Sequence, residues 1–441
     1  MQGPHSRVKL PDRLSYQDLK TRTVSAGSGS RPALAILAVL GWTLFLSASH
    51  CSAASNFKVL HGFGSGRDGG DIQSSVTVDK KGHVYGTTHY GGTGGYGTVF
   101  KLSQKPNGSW SEKILQNFSN NDPNGQEPLA PVILDSAGNL YGTTVAGGAN
   151  HGGTVYEMTH APSGWNFQVL YDFCSQPDCS DGGGPWAGLV FDKAGNLYGT
   201  AFNLFELTPG PTGWNESVLY NFCSQPECSD GRVPYEGVIL DAEGNLYGVT
   251  HLGGDPTNGG VVYKAHPRPD GTWAYHVLHR FHGPPDDGDV PSSAMLIARD
   301  GGGSLYGTTN GGGRYICVTG TCGVVFKMTQ EPDGHWKETI LHDFKSGKSG
   351  YWPGGGVVID GAGNLYGTTG AGGDINCDCG VVYKMAPNGD GSYTYTVLHR
   401  FKGIDGLIPN ANLVMDDKGI LYGTTQYGGP GGGGVVFMLT P

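Results

Sequence analysis

The sequence repeats one phrase seven times, and this repetition constrains the fold more than any other feature. The phrase reads Asp, two residues, Gly, one residue, Leu or Val, Tyr, Gly, Thr or Val, and Thr or Ala. Its tyrosines lie 49 to 60 residues apart, at Tyr85, Tyr141, Tyr198, Tyr247, Tyr306, Tyr366 and Tyr422. A fixed period of this length indicates a repeat architecture, in which each unit packs against its neighbours.

Each repeat contains four strand-like segments. A short apolar run such as Val357–Ile359 is followed by the Asp-x-x-Gly turn, and the second strand is Leu-Tyr-Gly-Thr-Thr. A glycine-rich loop leads to a third strand such as Val324–Met328, and a polar turn leads to a fourth that begins with Trp or Tyr and ends eight residues later at Phe. No sustained 3.6-residue apolar period is present, so we predict an all-β protein with one four-stranded antiparallel sheet per repeat.

The two ends of the repeat region predict how the sheets are arranged. Phe57–Phe63 matches an isolated fourth strand, and Gly434–Pro441 matches a third strand without its fourth. If the first segment completes the last sheet, the ring closes and no sheet edge is exposed at the seam. We therefore predict a seven-bladed β-propeller whose N-terminal strand closes the C-terminal blade, occupying residues 55–441 as a single domain.

Residues 1–54 have the order of a secretory signal peptide. A polar, basic lead is followed by a 14-residue apolar run from Ala33 to Leu46 and by small residues ending at Ala54. The run is short for a membrane span, which takes about 17–25 residues. The alternatives are an uncleaved anchor and lipidation at Cys51. We expect a secreted or periplasmic protein without a membrane span after cleavage.

Charge excludes one class of partner. The whole chain has a formal charge of −10, and removal of residues 1–54 leaves −14 over 387 residues. A chain this acidic, without a basic stripe, is not expected to bind nucleic acid. We expect a soluble monomer without a cofactor.

The repeat resembles a known family. Gly-Asn-Leu-Tyr-Gly-Thr-Thr at 138–144 and 363–369, followed by Gly-Gly and then Gly-x-Val-Phe/Tyr-Lys/Glu, is similar to the GloVer (Gloeobacter/Verrucomicrobia) tandem repeat of exported bacterial proteins. The resemblance covers residues 57–441. It implies a secreted or surface-located protein and supplies no catalytic residues.

Eight cysteines lie in the repeat region, and an even number in an exported chain favours disulfides. They form four local pairs: Cys174 and Cys179, Cys223 and Cys228, Cys317 and Cys322, and Cys377 and Cys379. The last pair is close for a direct bridge, and pairing with Cys317 and Cys322 of the neighbouring repeat is the alternative. A four-thiolate zinc site from the last four cysteines is a further alternative.

Candidate binding residues lie where the repeats differ, because a feature of every repeat is more simply explained as scaffold. His89 and His251 follow the Thr-Thr position in the first and fourth repeats. Aromatic and arginine residues are favoured at binding hot spots; the candidates of this kind are Trp186, Arg314, Tyr315, Tyr351 and Trp352. Asp286, Asp287 and Asp289 form a weak calcium candidate, since the full spacing of a calcium loop is missing.

Two functions fit these observations. The regular repeats, without a catalytic motif, favour a non-catalytic binding module that holds a glycan or a protein on its variable loops. The alternative is a propeller enzyme, a polysaccharide lyase or hydrolase, whose acid and base residues meet in the central funnel. A funnel with two or three non-repeated ionisable groups within hydrogen-bond reach would favour the enzyme, whereas a shallow aromatic patch would favour binding.

Overall fold

A computed structural model describes residues 56–64, 66–254, 256–292, 296–297, 303–318 and 320–441. The expected signal peptide lies outside these residues. None of the helical segments in the described ranges is both long enough and apolar enough to span a bilayer.

The described residues form 31 β-strands and two short 3₁₀ turns, Pro177–Cys179 and Pro226–Cys228. In chain order the strands are β1 (Asn56–Gly62); β2 (Thr77–Val78), β3 (Val84–Thr88), β4 (Gly95–Gln104) and β5 (Trp110–Ser119) of blade one; β6 (Ile133–Leu134), β7 (Leu140–Thr144), β8 (Thr154–Ala161) and β9 (Gly164–Asp172) of blade two; β10 (Val190–Phe191), β11 (Leu197–Ala201), β12 (Asn203–Gly210) and β13 (Gly213–Asn221) of blade three; β14 (Ile239–Leu240), β15 (Leu246–Thr250), β16 (Val261–Pro267) and β17 (Trp273–Arg280) of blade four; β18 (Gly288–Pro291), β19 (Leu296–Ile297), β20 (Leu305–Gly312), β21 (Ile316–Cys317), β22 (Gly320–Thr321), β23 (Val324–Gln330) and β24 (Trp336–Asp343) of blade five; β25 (Val358–Ile359), β26 (Leu365–Thr369), β27 (Val381–Pro387) and β28 (Tyr393–Arg400) of blade six; and β29 (Val414–Met415), β30 (Leu421–Thr425) and β31 (Val435–Thr440) of blade seven.

The strands build a seven-bladed β-propeller, as predicted. Within each blade the strands pair in antiparallel order; in blade five β18 and β19 both pair with β20 and share the first position, while β21 and β22 form a separate hairpin. Strand β1 pairs with β31, from Asn56 opposite Thr440 to Gly62 opposite Val435. The N-terminal strand therefore closes blade seven, which confirms the sequence prediction.

The glycine that follows the tyrosine in the repeated phrase lies beneath an aromatic ring. In every blade this glycine pairs with the Phe or Tyr of the third strand: Gly86 with Phe100, Gly142 with Tyr156, Gly199 with Phe205, Gly248 with Tyr263, Gly307 with Phe326, Gly367 with Tyr383 and Gly423 with Phe437. A Cβ atom on Gly199 would lie 2.7 Å from Cζ of Phe205. The glycine is required because a side chain would occupy the space of the ring.

The same ring is also the contact between blades. The phenylalanine that ends each fourth strand packs on the third-strand ring of the next blade, with centroids 5.0–6.0 Å apart. At the closure Phe63, which follows β1, packs on Phe100. All seven junctions thus contain one aromatic pair, in an arrangement that favours edge-to-face or tilted contact.

A second link between blades comes from the Thr-Thr pair. Its first threonine donates a hydrogen bond to a carbonyl just before the first strand of the next blade, at 2.8–3.3 Å, from Thr87, Thr143, Thr200, Thr308, Thr368 and Thr424. Blade four has Val249 at this position and cannot make the bond. The second threonine, as in Thr144, donates to a carbonyl two residues later within its own blade. Both threonines are therefore scaffold.

The repeated aspartates also shape turns. Oδ1 of Asp135 accepts hydrogen bonds from the backbone N–H groups of Ala137 and Asn139, and Gly138 has a φ of 87°. A second repeated segment, Asp/Asn/Ser-Gly-x-x-Pro, precedes the first strand of six blades, and blade one has isoleucine in place of its proline. Asp181 begins this segment in blade three, is 2% exposed and accepts hydrogen bonds from the backbone and hydroxyl of Ser175. These contacts satisfy loop N–H groups, as expected for aspartate in turns.

Each junction between blades carries one further pair of side chains on the fourth strands. The first residue of each pair lies two positions before the Phe that ends the fourth strand of one blade. The second lies two positions after the Trp, or its equivalent, that begins the fourth strand of the next blade. The pairs are His61 and Glu112, Gln116 and Phe167, Tyr171 and Glu216, Tyr220 and Tyr275, His279 and Glu338, His342 and Tyr395, and His399 and Phe57. Three of these pairs stack with parallel rings, at centroid distances of 3.7–4.3 Å.

The fourth-strand residue two positions after the Trp varies together with the aromatic residue on the third strand of the same blade. Blades one, three and five combine Phe on the third strand with Glu on the fourth, whereas blades two, four and six combine Tyr with an aromatic residue. In the second group the two rings stack, as in Tyr156 and Phe167 at 4.9 Å. The structural unit is therefore a pair of blades, and the odd seventh blade places Phe57 beside Phe437.

The cysteines form four local disulfides. The structure joins Cys174 to Cys179, Cys223 to Cys228, Cys317 to Cys322 and Cys377 to Cys379. Pairing of the last two cysteines with Cys317 and Cys322, kept as an alternative from the sequence, is not what the structure shows. Asp378 has a φ of 55°, which bends the chain and leaves the two Cα atoms 5.2 Å apart, within the range of a direct bridge.

We predict that Gly199→Ala destabilises the protein by about 1–3 kcal/mol, because the methyl group forces the Phe205 ring out of a packed position. Urea unfolding followed by tryptophan fluorescence measures the change. Gly361→Ala is the matched control, since no atom lies within 4 Å of its added Cβ. Equal stability of the two variants would contradict the packing account.

We predict a pH-dependent effect for Glu216→Gln. Burial, followed by the charge of Asp181, raises the pKa of Glu216 to about 7. The folded protein binds this proton more tightly than the unfolded chain does, so protonation of Glu216 stabilises the fold. This stabilisation is complete below the ordinary glutamate pKa and is lost as the pH rises through about 7. The variant should therefore melt a few degrees above the natural protein near about pH 8, with the difference shrinking towards about pH 5. Exposed Glu243→Gln is the control, and parallel melting curves for Glu216→Gln would refute the prediction.

Candidate functional site

The loops that differ between repeats share one end of the blades. In a four-stranded antiparallel sheet, the loop from the second to the third strand and the loop from the fourth strand to the next blade lie at the same end. Two positions on these loops face each other: the residue after the Thr-Thr pair and the residue before the repeated proline. In blade one the backbone N–H of His89 donates to the carbonyl of Asp71, and in blade four His251 donates to Val233.

We call these fourteen positions the variable rim. They are Asp71 and His89, Glu127 and Val145, Gly184 and Phe202, Val233 and His251, Val290 and Asn310, Trp352 and Gly370, and Ile408 and Gln426. The first residue of each pair has a φ of 57–61°. Such a conformation is uncommon for residues other than glycine and is over-represented at functional sites. The scaffold therefore fixes the backbone of the rim while its side chains differ in every blade.

One sector of the rim gathers ionisable groups. Nδ1 of His89 lies 2.9 Å from Oδ2 of Asp71, and its Nε2 lies 3.8 Å from Oε2 of Glu127. The amide of Gln73 donates to the same oxygen of Asp71. On the far side of Asp71 lies Gln426, from blade seven. Three non-repeated titratable groups from blades one and two thus meet at one point.

The electrostatics of this sector favour a charged pair. Burial alone would lower the pKa of His89, but the hydrogen bonds and charges of Asp71 and Glu127 outweigh it, and the pKa is raised. Burial likewise opposes ionisation of Asp71, yet hydrogen bonds from His89, Gln426 and Gln73 lower the pKa of its carboxyl group. Both shifts favour the charged pair, in which an imidazolium lies beside a carboxylate, over the neutral pair.

Tyr90 covers this pair and opens onto a cleft. Its ring lies 3.6 Å from the imidazole of His89, centroid to centroid, and the side chain is 48% exposed. The adjoining shallow cleft has a volume of about 630 Å³ and is lined by Gly66, Arg67, Tyr90, Gly91, Gly92, Thr93 and Gly95. An exposed ring beside polar groups can stack on the apolar face of a sugar while the polar groups bind its hydroxyls.

Aromatic residues form a second sector, in blades three and four. Trp186 lies 5.1 Å from Tyr235, and Tyr235 lies 5.5 Å from His251, measured between ring centroids. Phe202 is 62% exposed where the second strand of blade three turns directly into the third. Two sequence candidates, Trp186 and His251, are thus brought together through Tyr235.

The other aromatic and arginine candidates lie in blades five and six. Tyr351 is only 2% exposed, and its hydroxyl donates to Asp378. Trp352 is half-buried on the rim, and its Nε1 donates to the carbonyl of Thr321. Arg314 is exposed and forms an ion pair with Asp343 at 2.7 Å, beside Tyr315, which is 44% exposed. Their role in binding stays a prediction.

The acidic calcium candidates do not act as one group. Asp286 is exposed, and Asp287 is buried and accepts hydrogen bonds from the backbone N–H groups of His282 and Gly288. Within the described ranges, one set of three metal-ligating side chains has donor atoms within 4.8 Å of one another; it joins Asp287 to His279 and Glu338. Asp289 is not part of that set.

Three residues of the first sector were not foreseen from the sequence: Asp71, Glu127 and Tyr90. One signal was available, because the position before the repeated proline is acidic in the first two repeats and in no other. Their convergence on His89 depends on contacts across two blades, which the order of residues does not give.

Comparison with known families and structures supports the repeat and the fold. The family model described as the Gloeobacter/Verrucomicrobia repeat matches residues 48–203 and 203–437. Comparison with curated proteins returns no match.

The solved structures similar to this chain include both an enzyme and an extracellular domain. The extracellular domain of a hybrid two-component system from B. thetaiotaomicron matches with a TM-score of 0.50 and 15% identity, over 86% of this chain and 39% of that chain. An ancestral GH74 enzyme matches with a TM-score of 0.50 and 11% identity, over 84% and 48% respectively. A protein described as a 6-phosphogluconolactonase from Bacteroides uniformis matches with a TM-score of 0.46 and 14% identity, over 73% of this chain and 83% of that chain. This chain spans less than half of the first two proteins, and identities this low show the fold alone.

We predict that Asp71→Asn lowers the pKa of His89. The substitution removes the nearer carboxylate, which raises this pKa, while the burial that lowers it remains. In the natural protein the pair stabilises the fold below the ordinary histidine pKa near 6.5, and this contribution fades as the pH rises through the raised value. NMR titration of the imidazole C–H resonances measures the change. The resonances of His160, on the outer hairpin of blade two, should titrate identically in both proteins. An unchanged His89 would show that Asp71 does not hold its proton.

Proposed function

The chain belongs to the Gloeobacter/Verrucomicrobia repeat family, and we propose that it is an exported binding module that holds a neutral glycan in the cleft at Tyr90, beside its variable rim. The observation that carries the proposal is the exposed Tyr90 ring above the cleft, backed by His89, Asp71 and Glu127. Glycan sites combine an aromatic platform with fixed hydrogen-bonding groups, and this sector provides both.

Charge supports a neutral ligand. Residues 55–441 carry a formal charge of −14, and two carboxylates lie directly behind the Tyr90 ring. The net charge of the chain would repel an acidic polysaccharide at a distance. A ligand rich in hydroxyl groups avoids this cost and can still donate to Glu127, whose side chain is partly exposed.

Export is supported by the cysteines. Four disulfides join loop cysteines within the propeller, and disulfides persist chiefly in oxidising compartments. The signal-peptide order of residues 1–54 agrees with this assignment.

A second candidate function is an enzyme that acts on polysaccharide. The observation in its favour is that His89 lies within hydrogen-bond distance of Asp71 and near Glu127, which is the non-repeated ionisable set expected of a propeller enzyme. His89 would move the proton, Asp71 would orient its ring, and Glu127 would serve as the second acid or base. Both functions place the glycan in the same cleft.

Affinity electrophoresis of the purified chain in gels containing soluble starch, xylan, galactomannan, polygalacturonate or alginate tests the binding proposal. We expect retention by at least one neutral polysaccharide and about tenfold weaker retention for Tyr90→Ala, the loss of one aromatic platform. Ile375→Ala, which truncates an exposed apolar side chain in blade six, should bind like the natural protein. Retention that Tyr90→Ala leaves intact, or retention only by acidic polymers, would refute this site.

The same samples separate binding from catalysis. New reducing ends or unsaturated sugars, released by the natural protein and abolished in His89→Asn, would establish the enzyme. Retention without product in either protein would support the binding module.

A further inference from the structure

The junction between blades four and five brings together three metal-ligating side chains. His279 lies on β17, Glu338 lies on β24, and Asp287 lies on the loop between the two blades. Nε2 of His279 is 3.2 Å from both carboxylate oxygens of Asp287, and one donor atom from each residue lies within 4.8 Å of the others. These three side chains, which we call the junction triad, are partly shielded from solvent.

The carboxyl groups of Asp287 and Glu338 lie close together in the junction triad. Oε1 of Glu338 is shielded from solvent and has no hydrogen-bond partner among the described residues. Burial, then the charge and hydrogen bond of Asp287, raise the pKa of Glu338 to about 8. A divalent cation bound among these three side chains would neutralise both carboxylates and give Oε1 a partner.

The other glutamate junctions show that the scaffold alone does not build this set. At the junction of blades two and three, Tyr171 occupies the place of the histidine, and its hydroxyl donates to Asp181 beside Glu216. At the closure, His61 lies 3.7 Å from Glu112, while Asp68 is turned to the backbone N–H of Gly64. Imidazole and two carboxylates meet at the junction of blades four and five.

This junction also lacks a link that the others possess. Val249 replaces the threonine whose hydroxyl bonds to the next blade at the six other junctions. The first strand of blade five is divided between β18 and β19, as it is in no other blade that the structure describes. A cross-link between β17 and β24 would therefore act at the junction that lacks this hydrogen bond.

We propose that His279, Asp287 and Glu338 bind one divalent transition-metal ion, with Zn²⁺ as the best match, and that the ion joins blades four and five. One imidazole nitrogen and two carboxylate oxygens are ligands that zinc accepts at about 2.0–2.2 Å, and water would complete the coordination. Because zinc binds the neutral imidazole and the ionised carboxylates, its affinity should fall as the pH is lowered. His282 and Asp343 lie close by on the same side of the junction, and Asp343 is held by Arg314.

Titration calorimetry of the untagged, metal-free protein with Zn²⁺ alone tests the proposal. We expect one ion per chain to bind at this site, with affinity at least tenfold weaker in Glu338→Gln and in His279→Asn. Glu216→Gln changes the equivalent residue of another junction and should bind like the natural protein. His266→Asn is a second control, because the exposed His266 and His276 have Nε2 atoms 3.3 Å apart and could capture zinc by themselves.

A thermal melt provides the second measurement. Zinc in excess should raise the melting temperature of the natural protein and of His266→Asn, because an ion that binds the folded state stabilises it. It should not raise that of Glu338→Gln. The proposal is overturned if no zinc binds, if Glu338→Gln and His279→Asn bind as tightly as the natural protein, or if binding is lost only in His266→Asn.

Discussion

The aromatic ring on each third strand is the contact on which the rest of the propeller depends. It covers a glycine of its own blade and receives a phenylalanine from the blade before, as Phe205 covers Gly199 and receives Phe173. A single blade would leave one face of this arrangement open to water. The chain can satisfy every ring only by closing, and Phe63 beside β1 supplies the partner that Phe100 would otherwise lack. Closure is thus a packing requirement as well as a way to remove sheet edges.

This scaffold leaves particular sequence positions free to vary from blade to blade. Aspartates, glycines and threonines of the repeat are occupied by turns, close approaches and links to the next blade. The backbone of the variable rim is fixed by these contacts, so its side chains can change without disturbing a blade. Asp71, His89 and Glu127 occupy such positions, and so do Phe202 and His251. A regular ring can therefore carry an irregular site, as scaffolds commonly do with their loops.

The repeat made the fold predictable from the sequence, because the same local pattern occurs seven times and the unmatched segments at its ends indicate closure. The bounds of β7 and β26 coincide with the predicted Leu-Tyr-Gly-Thr-Thr strands. The site was less predictable. His89 and Trp186 were identified as departures from the pattern, but their neighbours Asp71, Glu127 and Tyr235 come from other loops or blades. Spacing along the chain describes a repeat, whereas a site between repeats depends on side chains that meet only after closure.

The two-blade alternation explains where titratable groups enter the interior. A tyrosine on the third strand needs a flat partner, and Phe167, Tyr275 and Tyr395 stack on such tyrosines in blades two, four and six. A phenylalanine on the third strand occurs with Glu112, Glu216 or Glu338 at the same fourth-strand position. Each of these glutamates is half-buried or more, and burial raises its pKa towards neutrality. What each junction can bind then depends on the residue facing the glutamate and on the nearby aspartate. The tyrosine facing Glu216 donates a hydrogen bond to Asp181, and beside His61 and Glu112 the carboxylate of Asp68 accepts from the backbone N–H of Gly64. At Glu338, a histidine and Asp287 both offer lone pairs that a metal ion can use.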